Sequence, residues 1–304
     1  MSSQYVTLAV SDSTVEIAPA IGGAIASFRD RQWDVLRSTG GIAREQGNVR
    51  QFACYPLVPY SNRIAHARLQ VGDDVYELAR NFGDHPHSIH GIGWQRAWQL
   101  IARDDDSVLL ELIHDPSGEA AHAWPFAFRA RQAFLLSRHG DAAMLTATLS
   151  IENCDSRPFP CGLGWHPFFP RDATTALCFR AESIWRTDDT RLPIQNRSVD
   201  SATNFADCKS IADTRLDNVF AGWGGNAELR WPNASHRVSI EADRSLAFLV
   251  LFIPDDRGYL AIEPVTHMTD AFNRAARGEG DTGTFTLAPG DNRCGTMRIV
   301  STPL

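Results

Sequence analysis

The sequence predicts an all-β fold, a large antiparallel β-sandwich with few short helices. Three observations carry this reading. Apolar and polar residues alternate with period two along many short runs. In 144–152, for example, Leu145, Ala147, Leu149 and Ile151 share one face and Thr146, Thr148 and Ser150 the other. Turn-forming Gly, Pro, Asn and Asp separate these runs at short intervals. Helical spacing is confined to 266–277, where Ala271, Ala275 and Ala276 precede a stop at Gly278.

Taken in order, the chain opens with strands over 5–10, 14–17 and 24–28, the last following Gly22 and Gly23, and a fourth at 33–36. Between Tyr55 and Tyr60, Pro56 and Pro59 exclude a central strand or a helix interior, because proline donates no backbone hydrogen bond. Residues 68–78 form a hairpin turning at Gly72, Asp73 and Asp74. A second hairpin joins 98–102 to 108–113. Strands follow at 126–136 and 144–152, then at 176–180, 227–231, 237–241, 246–252, 259–262, 284–287 and 295–300. About 20 short strands with few helices imply a sandwich. No repeat, linker or shift in composition divides the chain, so a single domain over 1–304 is expected.

Composition narrows the function classes. Apolar residues are 43% and charged residues 21%, which suits a globular protein and not a disordered one. A net charge of −7 argues against nucleic acid, whose phosphates call for a basic surface. No apolar run approaches the roughly 18 residues of a membrane span, and the N-terminal stretch lacks the regions of a signal peptide. Cys54, Cys154, Cys161, Cys178, Cys208 and Cys294 are scattered without a Cys-x-x-Cys pair. They are expected to be reduced core thiols, in neither a disulfide nor a zinc site, and the protein is expected to be cytoplasmic. A monomer or a homodimer suits the sequence equally.

The chemistry-bearing residues gather in three places. His85, His87 and His90, followed by Gly91, fall in a turn-rich stretch suited to a site wall. A His-x-His-x-x-His run can supply imidazoles to a metal. The related metal motif of the cupin sandwiches wants a carboxylate three to five residues after its second histidine. Here those positions hold His90, Gly91 and Ile92, so no metal is expected. His85 and His87 read as exposed loop residues. His90 differs, because Gly91 permits close approach of backbone or ligand. The second place is His166, among aromatics and flanked by Pro167. The third is Glu263, which continues the apolar run 259–262. Burial without a partner would raise its pKa and its basicity. Asp217 and Asn218 read as an acidic turn. Trp94 and Trp165 have the flat apolar faces that suit stacking on sugars. No nucleophile elbow, P-loop or dinucleotide-binding glycine pattern is present. The residue types point to acid–base catalysis without a covalent nucleophile.

Asn62-Arg63-Ile64, His90-Gly91, Gly164-Trp165-His166-Pro167-Phe168-Phe169, Asp217-Asn218-Val219-Phe220 and Ile262-Glu263-Pro264, in that order and spacing, resemble the aldose 1-epimerase (galactose mutarotase-like) family. The likeness runs from Gly22 to Gly290. It implies a β-supersandwich and cofactor-free interconversion of the α and β anomers of a sugar. It also implies Glu263 as general base and His166 as general acid. His90, Arg63, Asn62, Asp217 and Trp165 would bind the sugar. Tryptophan in place of asparagine before His166, and Ile92-Gly93-Trp94 after the His-Gly pair, depart from the galactose branch. The expected substrate is therefore a hexose or a hexose derivative, with phosphorylated and sulfonated sugars included. An anionic sugar would need cations, for which Arg63, Arg68 and Arg96 are candidates. Two other readings stay open: a non-catalytic sugar-binding module, and a glycoside hydrolase built on two carboxylates.

Overall fold

The computed structural model describes residues 4–234, 236–255 and 257–303; the first three residues of the N-terminal stretch lie outside it. The described residues form two large antiparallel sheets with smaller ones at the edges, and no α-helix exceeds six residues. The all-β sandwich expected from the sequence is the observed architecture. One sheet has nine strands, with the long strands Phe128–His139, Ala142–Asn153 and Asn292–Pro303 at its centre. Along Ala142–Asn153 every second residue is buried, on the face that holds Leu145, Leu149 and Ile151. The period-two reading therefore found both the strand and its inner face.

The eight-stranded sheet carries the site. Its order is Pro193–Ser198, Ser183–Thr187, Leu216–Ala221, Phe248–Ile253, Tyr259–Val265, Gly164–Trp165 and Pro56–Leu57, with Phe168–Pro170 also paired to Tyr259–Val265. Phe248–Ile253 and Tyr259–Val265 are apolar and buried on both faces, because the sheet is covered on each side. The two large sheets meet through apolar rings: Phe134 packs edge-on against Trp165, and Phe179 against Phe220. A third sheet, made by Val6–Val10, Ser13–Ala18, Ala24–Asp30 and Trp33–Asp34, holds the N-terminal strands. No helix of the described residues is long and apolar enough to cross a membrane.

Several sequence expectations are corrected. The helix at 266–277 shrinks to Ala271–Ala276. Asp270 sits in a left-handed conformation at φ 56°, fixed there because its carboxylate accepts the Ala65 N–H at 3.0 Å and the Asn273 amide at 2.7 Å. Asp217 lies in strand Leu216–Ala221, not in a turn. Its Asp-Asn pair looks turn-like in sequence, but hydrogen bonding to Phe248–Ile253 overrides that local preference. Cys178 and Cys208 form a disulfide across neighbouring strands, whereas Cys54 and Cys161 are buried free thiols and Cys154 and Cys294 are exposed. His87 is fully buried: Nδ1 accepts the His66 N–H at 2.9 Å, and Nε2 lies 3.2 Å from the Thr190 carbonyl.

Candidate active site

A break in the sheet builds the site. Strand Tyr259–Val265 pairs on one side with Phe168–Pro170 through Phe168 opposite Ala261, and with Gly164–Trp165 through Gly164 opposite Val265. Counting inward from both ladders puts His166 opposite Glu263. Neither Pro167 nor Pro264 has an N–H to bridge the gap. The ladder lapses there, and two cross-strand side chains share one face. His166 Nε2 lies 3.2 Å from Glu263 Oε1, and both residues are buried. Two atoms of the pair, His166 Nδ1 and Glu263 Oε2, are buried without a hydrogen-bond partner among the described residues. In a folded protein such orphans call for an explanation.

His90 is placed by a second local device. Arg63–Ile64 pairs with Ser88–Ile89, and the residues flanking this short ladder, Asn62 and His90, both take positive φ. The His90 N–H donates to the Asn62 carbonyl at 2.8 Å, and the Asn62 N–H donates to His90 Nδ1 at 3.0 Å. Gly91 follows at φ 67°, with the Val58 carbonyl so close that a β-carbon there would lie 2.3 Å from its oxygen. This is the close approach that the glycine was expected to allow. Since His90 Nδ1 accepts a backbone hydrogen, its proton is on Nε2, which is therefore a donor.

Arg63 spans the other wall. Its Nη1 donates to Asn62 Oδ1 at 2.9 Å and its Nη2 to Asp217 Oδ2 at 3.3 Å. Asp217, Val250, Phe252 and Glu263 rise from neighbouring strands of the eight-stranded sheet into one cavity of about 730 Å³. Tyr55 and Phe168 flank His166, with ring centroids at 4.7 and 4.4 Å. The cavity also admits Arg37, Arg50 and Arg257.

Burial governs the electrostatics. It pushes the Glu263 carboxyl well above the usual carboxylate range; Asp217 adds to the shift and Arg63 opposes it. His166 is pushed down to about 3, first by burial and then by the Arg37 and Arg63 charges. His90 is held well below the ordinary histidine value by burial, His166 and Arg63. Burial thus favours the neutral imidazoles of His90 and His166 and the neutral acid at Glu263. His90, His166 and Glu263 bring ligand atoms within 4.8 Å of one another, a spacing that could suit a metal ion. The hydrogen on His90 Nε2 opposes it, because that nitrogen has no lone pair to give while Nδ1 is engaged.

The structure brings Glu263, His166, His90, Arg63, Asn62 and Asp217 to one cavity. It does not bring Trp165, whose ring is buried against Phe134 on the opposite face, and Trp94 is likewise buried outside the lining. Residue alternation explains the first, since the neighbour of an inward His166 on an extended strand points the other way. Arg68 and Arg96 are also elsewhere; Arg68 is exposed and paired with Glu77. Arg37 and Arg257, in loops, and Arg50, in the short 3-10 helix Val49–Gln51, carry no periodic or motif signal and were not found from sequence.

The sequence profile of aldose 1-epimerases matches residues 5–300. The chain belongs to the aldose 1-epimerase family. A curated relative, the uncharacterized protein YphB of Escherichia coli K12, is 28% identical over 286 residues, covering 91% of this chain and 92% of the relative. A crystal structure from Escherichia coli K12, provisionally described as an aldose 1-epimerase, is similar at TM-score 0.87 with 27% identity, covering 99% of both chains. A galactose mutarotase-like protein from Clostridium acetobutylicum shares the fold at TM-score 0.86 and 20% identity, over 99% of this chain and 95% of that one. This family membership implies a sugar as the class of substrate and suggests an isomerase as the class of activity.

Proposed function

We propose that this protein is a mutarotase, interconverting the α and β anomers of a hexose or hexose derivative by general acid–base catalysis. The observation that carries the reading is the buried Glu263–His166 pair at 3.2 Å, with both residues lining a sugar-sized cavity. Anomer exchange needs one group that accepts a proton and another that donates one, and this pair holds one proton between the two. When sugar hydroxyls make the cavity more polar, that proton crosses from Glu263 to His166, leaving a carboxylate base and an imidazolium acid.

Glu263 takes the proton of the C1 hydroxyl while His166 protonates the ring oxygen. The C1–O5 bond breaks, with its electron pair going to O5, and an open-chain aldehyde forms. Rotation about C1–C2 turns the other carbonyl face toward the C5 hydroxyl. Reclosure returns a proton from Glu263 to O1 and one from O5 to His166, so the enzyme ends as it began. His90 Nε2–H donates to a sugar oxygen beside the reacting carbon, and the Arg63–Asp217 pair binds ring hydroxyls. Each positioned proton relay contributes on the order of 10²–10⁴-fold. Two acidic groups spanning a glycosidic bond, as hydrolysis requires, fit less well, because Asp217 is engaged by Arg63.

Polarimetry on freshly dissolved α-anomers tests the reading. The protein should hasten relaxation to the equilibrium rotation for at least one hexose or hexose derivative without releasing product from glycosides. Sugar binding with no change from the spontaneous rate would assign the cavity to a non-catalytic binding module.

A further inference from the structure

Although the chain carries a net charge of −7, four arginines line its cavity: Arg37, Arg50, Arg63 and Arg257. The acidic residues lining it are Asp217 and Glu263. Asp217 is paired with Arg63, and burial favours the neutral acid at Glu263. Arg37, Arg50 and Arg257 pair with no carboxylate among the described residues. Arg37 is instead held by uncharged groups. Its guanidinium lies 3.9 Å from the Phe168 ring centroid and 4.4 Å from that of Tyr259. Nη2 donates to the Phe52 carbonyl at 2.7 Å and to the Arg50 carbonyl at 3.4 Å. Arg50 lies 4.7 Å over the Phe82 ring. Aromatic faces and carbonyls fix the direction of a guanidinium without cancelling its charge, and that charge stays available to a ligand.

Resting on the exchange reading above, we infer that the sugar taken by this cavity carries an anionic group on its exocyclic C6, bound by Arg37, Arg50 and Arg257. Position follows from the stacking order. Phe168 stacks on the His166 imidazole, with centroids 4.4 Å apart and planes 30° from parallel, and also carries the Arg37 guanidinium 3.9 Å from its ring centroid. If His166 serves the ring oxygen, the nearest substituent carbon is C5, which bears C6. A charged group on C6 therefore extends toward Arg37, while the hydroxyls beyond C1 face Arg63 and Asp217. A phosphate ester, a sulfonate and a carboxylate all present the oxygens that guanidinium forks engage.

The experiment is two-dimensional exchange NMR on glucose and galactose, their 6-phosphates, 6-deoxy-6-sulfoglucose and glucuronate, with glucose 3-phosphate as positional control. Wild type is compared with Arg50→Gln and Arg257→Gln, both at exposed positions. One C6-charged sugar should exceed its neutral parent in kcat/KM by about 10- to 100-fold, the scale of charge-assisted hydrogen bonds. That preference should shrink in each variant, chiefly through KM, and weaken with added salt. Equal or better turnover of the neutral parent, or an equal preference for the 3-phosphate, would overturn the inference and leave mutarotation standing. Exchange of no sugar at all would instead sink the mutarotase reading. Equilibrium dialysis of the same sugars then decides on the arginines alone: tighter C6-anion binding that is lost in Arg50→Gln upholds them, and indifferent binding removes them.

Discussion

Replacing Glu263 by Gln changes one atom and tests two consequences of its position. The amide keeps the size of the side chain and can still bond His166 across the 3.2 Å gap, so folding and sugar binding should survive. The proton acceptor is gone. General-base catalysis supplies about 10²–10⁴-fold, so kcat should fall by that factor, or roughly 3–5 kcal/mol in the barrier, with KM little changed. The second consequence concerns stability. Burial raises the folded-state pKa of Glu263 above its unfolded value. Its contribution is therefore fully present below the unfolded value of about 4.3 and is lost as pH rises through the folded pKa. Glu263→Gln cannot ionise, so the variant should gain on the wild type in Tm as pH rises from about 4 into the neutral range. Polarimetry gives the rate, and thermal melts across pH give the second result. Wild-type turnover in the variant would refute the base assignment; parallel Tm profiles would refute the claim that burial disfavours the carboxylate.

Further outcomes follow from the same geometry. His166→Asn should lower kcat by about 10²–10⁴-fold. In the wild type, with His166 pushed down to about 3, kcat/KM should hold on the acid side until far below the ordinary histidine range; a break near 6.5 would contradict this. Arg63→Lys loses the fork that bridges Asn62 and Asp217 and should cost about 10- to 100-fold in kcat/KM, read by steady-state kinetics. Gly91→Ala forces a β-carbon against the Val58 carbonyl at positive φ and should destabilise by about 1–3 kcal/mol, seen in urea melts. Trp165→Phe should cost about 1–2 kcal/mol of stability and leave KM within about two-fold, because that ring packs on Phe134.

The sandwich was legible because strands with one buried face write their period into the sequence, as Ala142–Asn153 does. The run before Glu263 was legible as a strand for the opposite reason: a sheet covered on both sides leaves no polar alternation. Among the site residues, six of the seven named from sequence meet at one cavity, carried by an ordered set of short motifs spread across the chain. The residues that escaped have no local signature. Arg37 and Arg257 lie in loops and Arg50 in the short 3-10 helix Val49–Gln51, and only tertiary packing brings their charges together. His87 sits in a turn-rich segment that reads as exposed, yet it is buried by bonds to His66 and Thr190, the latter 103 positions away. The disulfide joins residues 30 apart that become neighbours only through strand pairing. Trp165 was assigned to the sugar by its chemistry, whereas strand alternation beside His166 directs it to the core.

The most direct test of the central claim is exchange NMR on a sugar at anomeric equilibrium, with the wild-type protein and with Glu263→Gln. Cross-peaks linking the α and β anomeric protons should appear above the spontaneous rate for the wild type and close to it for the variant. Absence of enzyme-dependent cross-peaks for every neutral and C6-charged hexose would contradict that claim, as would equal cross-peaks for the two proteins.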